Sequence, residues 1–338
     1  MSADGIGRAL GRTGVRVTGL GFGGAGIGNL YREVDDDEAS AALDVARDAG
    51  VRYLDTAPHY GLGLSERRIG AWLAGQHRDD YVISTKVGRR LVPNGAVADD
   101  DRVDHAGEFV LPEATHQRVW DFSAAGVLQS LEQSLERLGT DQIDVALLHD
   151  PDDHWRPAVE EALPALVDLR DQGVVGAIGV GMNQSAMLTW FVQETDVDLV
   201  MVAGRYTLLD QGALTDLLPA AEARGVSVVA AGVFNSGLLA TPRPDPGARY
   251  DYAAAPGEIV TRAERIAQVC ERHGTDLPTA AVHFPLTHPS VASVVVGVQD
   301  ADQMRANADR FAAGVPDGLW DDLVEDGLLD PAVRGPMS

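Results

Sequence analysis

One cysteine is all this sequence has. Cys270 stands alone, so no intrachain disulfide can form, and a reducing cytoplasm is the expected compartment. Long apolar runs are missing too: none approaches the ~20 residues of a membrane span. The opening stretch MSADGIGRALGRTGVRVTGL has basic residues but no apolar core, so no secretory signal is read there. Positive charge is scarce. Against 51 Asp and Glu stand 27 Lys and Arg, a formal net charge of −24. Such a field repels phosphate backbones and anionic membrane surfaces, so neither nucleic acid nor membrane is an expected partner. The acidity fits solubility or adaptation to salt. Lysine is nearly absent: Lys86, in YVISTKVGRR (81–90), is the only one.

What is present is regular. The chain has 338 residues, 45% hydrophobic and 23% charged, which is ordinary for a globular protein. Short β-branched runs recur at 17–23, 52–57, 81–88, 143–150, 174–181, 198–205, 227–234 and 291–297. Amphipathic stretches follow them at 36–50, 65–75, 123–139, 156–173, 184–195, 211–225, 258–274 and 301–314. Continuous apolar strands alternating with helices imply parallel strands covered on both faces. Glycines after the helices, as in GVR, GVV and GVS, suit C-terminal caps. Eight units without a linker predict a closed (β/α)8 barrel, a single α/β domain over 1–330; an open doubly wound sheet is the alternative. PAVRGPMS (331–338) reads as a disordered tail. Two connections, 89–122 and 235–257, are too long for plain loops and fall on the C-terminal face, where barrel enzymes keep their chemistry. Oligomeric state leaves no signal.

Polar residues at the strand ends make a coherent set. Asp55 ends the second strand, and Tyr60 sits in the loop after it. Lys86 ends the third and His149 the fourth, followed by Asp150. A phenol titrates near about 10, too high for a base at neutral pH. An ammonium at about 4 Å favours the phenolate by roughly 4 kcal/mol at an effective dielectric near 20. A buried ammonium needs a counter-ion, and Asp55 can supply it. His149 can hydrogen-bond the reacting oxygen. The four residues form a proton-transfer device centred on Tyr60. Lysine offers a compact, titratable head behind a phenol that arginine does not, which accounts for its one appearance.

These residues also carry a resemblance. DTAPHYGLGLSE (55–66) resembles a signature of the aldo-keto reductases, and LGFGGA, ISTKVG, IDVALLHD, VVGAIGVG and GLL follow in that family's order, over residues 15 to 315. The resemblance implies a (β/α)8 barrel and a catalytic tetrad of Asp55, Tyr60, Lys86 and His149. It implies redox exchange with a nicotinamide dinucleotide held without a Rossmann fold. Tyr60 would be general acid or base, and His149 would orient the substrate oxygen. The implied cofactor contacts are Gly23 and Asp55, Asn183 after the fifth strand, and Phe234, Asn235, Ser236, Gly237 and Leu238 after the seventh. Gly297, Gln303 and Asn307 would form the adenosine segment.

Departures from the family pattern are informative. Gly181 occupies the place of a serine, and Ala231 that of a stacking tyrosine. They resemble the branch holding L-fucose, D-threo-aldose and L-galactose dehydrogenases and pyridoxal 4-dehydrogenase. That branch implies NAD-dependent oxidation of an aldose hemiacetal at C1 to a lactone; a pyridoxal 4-dehydrogenase or general aldehyde and ketone reductase is the alternative. NAD is expected over NADP, because Gln303 is not basic and Asp300 and Asp302 lie beside it. The expected partner is a small sugar or aldehyde, with His59, Trp120 and Trp155 as substrate-side candidates.

Other motifs receive bland readings. GFGGAG (21–26) fits a dinucleotide fingerprint, but no helix opens after it, so it reads as the first barrel loop. HDPDDHW (149–155) looks metal-like; it reads instead as a strand end and an acidic turn, with no metal expected. ERRIG (66–70) and the Arg89–Arg90 pair read as solvated charges. From other functional classes, a metal-dependent barrel hydrolase on His149, Asp150 and His154 and a non-catalytic nicotinamide-binding regulatory subunit remain open.

Overall fold

A computed structural model describes residues 7–96, 103–104, 108–111, 114–245, 247–251 and 253–333. Eight parallel strands close on themselves: β1 (Leu20–Gly23), β2 (Tyr53–Asp55), β3 (Val82–Val87), β4 (Ile143–His149), β5 (Val175–Met182), β6 (Leu199–Ala203), β7 (Ser227–Ala231) and β8 (Val291–Gly297). Each strand pairs with its neighbours in sequence, and β8 returns to β1 from Val294↔Leu20 to Gly297↔Gly23. This closure is the expected barrel and rules out the open sheet.

The continuous apolar character of the strands has a direct cause. Inward residues, among them Tyr53, Val145, Leu147, Met201 and Val295, fill the barrel interior. Outward ones such as Phe22, Ile83, Val200 and Val296 pack under the helices. Neither face meets water, so polar alternation is lost. Among the described residues no helix is long and apolar enough to cross a membrane.

The helical layer follows the amphipathic stretches, from α1 (Asp36–Asp48) and α2 (Leu64–Leu73) through α3 (Ala124–Leu138). Asp35 and Glu38 form a reciprocal cap at the start of α1, satisfying two of its free N–H groups. Two short helices, Leu277–His283 and Leu319–Glu325, were not among the expected elements.

One expectation needs correction. Residues 17–23 are not one strand. Arg16–Val17 pairs antiparallel with Arg8–Ala9, and this hairpin places Leu10 and Val17 in the barrel interior. The Gly11 N–H donates to Ser227 Oγ at the start of β7, which sets the hairpin at the N-terminal end of the barrel. The 89–122 connection, expected to be more than a plain loop, carries a small antiparallel sheet among its described residues. Arg89–Pro93 pairs antiparallel with His116–Trp120, which pairs with Val103–Asp104. At Gly88, with φ 104°, the chain turns off β3 so close to Phe122 that a Cβ would overlap its ring. In the expected tail, Val333 is buried against the core; residues 334–338 lie outside the described residues.

ERRIG is not a solvated run either. Glu66 is 0% exposed. Thr85 Oγ1 donates to one of its oxygens at 2.7 Å and Arg137 Nε to the other at 2.6 Å. The carboxylate staples α2 and α3 to β3, one residue from Lys86. Losing one partner of a buried pair leaves the other charge uncompensated. Glu66→Ala is expected to cost about 3 kcal/mol of stability. Urea unfolding checks this: the midpoint should fall with an unchanged slope, and a shift worth under about 1 kcal/mol would contradict it.

Candidate active site

The register of the barrel brings the strand-end residues together. Asp55 pairs with Ser84, Lys86 with Leu147, and His149 with Gly181. Lys86 Nζ lies 2.9 and 2.7 Å from the two oxygens of Asp55, 3.1 Å from the Thr56 carbonyl and 3.0 Å from Tyr60 Oη. Ser84 Oγ donates to Asp55 Oδ1 at 2.7 Å. The His149 ring stands edge-on to Tyr60, with centroids 5.9 Å apart. All four tetrad candidates line one cavity of about 590 Å³ at the C-terminal mouth.

Protonation follows from these surroundings. Burial alone would lower the pKa of Lys86, but the Asp55 carboxylate and the Tyr60 phenol outweigh it and keep the ammonium charged. Burial pushes Tyr60 up to about 12; Lys86 opposes that rise, and Asp55 adds to it. The phenol is therefore protonated at neutral pH, and the nearby ammonium alone does not make it a phenolate. Burial, then the charges of Arg89 and Lys86, hold His149 well below the usual imidazole range. It is a neutral ring, and its buried Nδ1 has no partner among the described residues. Cys270 is fully buried, and burial pushes its thiol up to about 12, so no thiol nucleophile serves the mouth.

A second polar cluster borders the tetrad. Arg89 is buried, not solvated as its sequence suggests. Its Nη2 donates to Asp150 Oδ2 at 2.6 Å, its Nη1 lies 3.1 Å from the ring nitrogens of His59, and its guanidinium covers Trp120 at 4.5 Å. Arg118 donates to the His59 carbonyl. Asp150 takes a left-handed backbone, φ 45°, held by its N–H on the Gly181 carbonyl. Phe109 stacks on Tyr60 with centroids 6.1 Å apart. Its strip is fixed by a bridge to Leu30 and by Tyr31 N–H donating to the Glu108 carbonyl. Arg118, Phe109 and Glu108 drew no notice in the sequence, since only the long-range pairing of 89–93 with 116–120 and of 30 with 109 places this region over the barrel.

The expected cofactor residues divide. Gly23, Asp55, Asn183 and Gly297 line the cavity, with Gly181 and Ala231 beside them. At Gly181 a Cβ would sit in ordinary van der Waals contact with Met201, Leu147 and Lys86, the nearest at 3.7 Å. Phe234 lies outside this lining and packs partly against the core. Leu238 is fully buried in the core, so its side chain is unavailable and only its backbone faces a ligand role. Asn235, Ser236 and Gly237 take consecutive left-handed conformations at φ 46°, 57° and 97°. Asn235 is 3% exposed, yet neither its amide nitrogen nor its oxygen has a partner among the described residues. A buried unpaired amide is costly, and a polar ligand at this loop would satisfy it. That fits a dinucleotide. Gln303 and Asn307 also lie outside the cavity lining: Gln303 accepts the Gln299 N–H, and Asn307 accepts Arg310 at 3.4 Å.

The substrate-side candidates divide as well. His59 lines the cavity, and burial with the charges of Arg89 and Arg118 lowers its basicity strongly. Trp120 lines an adjoining cavity of about 520 Å³ that shares Arg89, Asp150 and Asn183. Trp155 is a correction. It is 46% exposed and sits edge-on to Trp190, outside both cavities. The His154 ring lies tilted against Trp120, centroids 4.9 Å apart, and among the described residues no group of three or more metal-type side chains is gathered. Gly21 and Gly23 are part of β1, and Gly26 is needed where a Cβ would run into the Val298 carbonyl.

Comparison with known proteins agrees with this geometry. The model of the aldo/keto reductase family matches residues 19–323. The chain is 48% identical to D-threo-aldose 1-dehydrogenase of Pseudomonas sp over 322 residues, covering 95% of this chain and 97% of that one. It is 38% identical to pyridoxal 4-dehydrogenase of Microbacterium luteolum over 345 residues, with the same coverages of 95% and 97%. Among solved structures, an aldo-keto reductase from Bacillus halodurans in its holo form superposes with a TM-score of 0.74 at 26% identity, covering 97% of this chain and 98% of that one. This chain belongs to the aldo/keto reductase family of NAD(P)-dependent oxidoreductases acting on CH–OH groups.

Proposed function

We propose that the protein is an aldose 1-dehydrogenase that oxidises the C1 hemiacetal of a sugar to a lactone. The observation that carries the reading is the Tyr60 hydroxyl, 3.0 Å from an ammonium that Asp55 holds in place. The 48% identity to D-threo-aldose 1-dehydrogenase supports the substrate class. The hydride acceptor is the nicotinamide dinucleotide, for which Gly23, Asn183, Asn235 and Gly297 are the residues that would hold it.

The chain's own residues handle the proton. As the phenolate, Tyr60 Oη takes it from the C1 hydroxyl in oxidation; as the phenol, it gives a proton to the carbonyl oxygen in reduction. Lys86 stabilises the phenolate formed on the way, and Asp55 keeps Lys86 charged and pointed at it. The neutral His149 hydrogen-bonds the same substrate oxygen and fixes its position. Hemiacetal oxidation needs no thiol, in keeping with a buried Cys270.

Cofactor choice follows from the segment after β8. Gln303 is committed to the Gln299 N–H, and Arg305 pairs with Asp302 at 2.7 Å in the solvent. Arg32 reaches the segment but is shared between Glu38 and Asp300. A dianionic 2′-phosphate finds no uncommitted arginine there and meets two aspartates.

Four outcomes test the reading. With NADH absorbance as the readout, aldoses should be oxidised with higher kcat/KM than pyridoxal or simple aldehydes; turnover of pyridoxal alone would sink the aldose assignment. Tyr60→Phe should lower kcat by about 10²–10⁴-fold while the dissociation constant for NAD barely moves. In oxidation the rate should rise with pH as the phenol, pushed up to about 12, gives up its proton. Lys86→Met removes the charge that lowers that value, so the rise should shift to higher pH; an unshifted profile would refute the pairing. Steady-state kinetics should favour NAD over NADP by at least about tenfold, a difference of roughly 1.4 kcal/mol. Gln303→Arg should narrow the gap, and equal efficiency in the wild type would be the contrary result.

A further inference from the structure

We infer that Glu108 is a specificity-determining residue, whose carboxylate accepts a hydroxyl hydrogen bond from a polyhydroxylated substrate held beneath it. The inference deepens the aldose reading and rests on it.

Charge in the cavity wall is accounted for except at one place. Lys86 is matched by Asp55, and Arg89 by Asp150. Glu108 lines the same cavity as Tyr60 and His149. Its Oε2 is shut off from solvent and has no hydrogen-bond partner among the described residues. A sealed carboxylate oxygen without a donor is costly, and such atoms in native structures call for an explanation. A structural role does not supply one. The fold uses the backbone of Glu108, whose carbonyl accepts the Tyr31 N–H, and leaves Oε2 without a donor among the described residues.

The surroundings define the missing donor. Phe109, the next residue, lays its ring near parallel to Tyr60 and edge-on to His59. An apolar ring face beside an acceptor suits a sugar ring, which offers C–H on its face and O–H at its edge. A cation is a poorer match, because Arg89 stands in the same wall and Arg118 lies 5.6 Å from the Phe109 ring. Tyr60 and His149 take the C1 oxygen, so Glu108 reads a hydroxyl elsewhere on the ring. Aldehydes without further hydroxyls leave Glu108 unpaired and are disfavoured on that account.

The test is a substrate-by-variant cycle. Wild type, Glu108→Gln and Glu108→Ala are assayed with an aldose, its monodeoxy analogues at each position beyond C1, and a simple aldehyde. In the wild type, removal of the hydroxyl at one position should lower kcat/KM by at least about tenfold, chiefly through KM. In Glu108→Ala the same removal should cost less than about twofold, because the partner is already gone. Glu108→Gln retains an acceptor and should fall between them. Simple aldehyde turnover should not fall in Glu108→Ala, because the unpaired carboxylate that disfavours it is gone, whereas a general loss of fold would lower it. Identical deoxy discrimination in wild type and Glu108→Ala overturns the inference and leaves the aldose reading standing. No aldose turnover by the wild type, with simple aldehydes still turned over, overturns both.

Discussion

The site depends on one buried ion pair. Lys86 and Asp55 have side chains only 2% and 4% exposed, and their nearest atoms are 2.7 Å apart. Burying two charges costs several kcal/mol each, and attraction offsets this only with good geometry and further hydrogen bonds. Both conditions hold. Asp55 accepts from Lys86 through both oxygens and from Ser84, while Lys86 also donates to the Thr56 carbonyl and to Tyr60. The pair is thus compensated as a unit and would be strongly destabilising in half. Its position follows from the pairing of β2 with β3, which brings Asp55 within hydrogen-bond distance of both Ser84 and Lys86.

What the pair does to Tyr60 is a balance. Burial raises the phenol, Asp55 raises it further, and Lys86 alone pulls it down. The resting state is a protonated tyrosine beside a permanent ammonium. In the proposed reaction that state would donate a proton in reduction, whereas oxidation would need the phenolate, stabilised by Lys86, to accept one. Burial, then the charges of Arg89, Lys86 and Arg118, keep His149 neutral, so in the proposed reaction it would orient oxygen without competing for charge.

The barrel was legible because its physics is local. Each strand is a short β-branched run, each helix has its own period and cap, and eight repeats leave little choice of closure. The tetrad was legible for a different reason: Lys86 is a lone lysine at a strand end, in line with Asp55 and His149. The substrate wall was hidden because it is made by distant pairings. Arg89 looks solvated until Trp120 is brought across from the far arm of an antiparallel sheet. Glu108 and Phe109 have no periodicity, and only the bridge from Phe109 to Leu30 brings them to the mouth. Trp155 misled because an aromatic one turn beyond the catalytic strand can face either way, and here it meets Trp190 on the outside. Leu238 sits in a loop with ligand character but points its side chain into the core. The buried Glu66 was masked by its basic neighbours, since a charged run on a helix usually faces water.

The central claim is that the charge of Lys86 acts through the phenol of Tyr60. Chemical rescue addresses it directly. Lys86→Ala should lose most of its aldose oxidation, and small alkylammonium ions added to the assay should restore part of it in proportion to their fit. In the double variant Lys86→Ala with Tyr60→Phe the same ions should restore nothing. Equal rescue in both backgrounds, or a Lys86→Ala enzyme with wild-type kcat, would contradict the account.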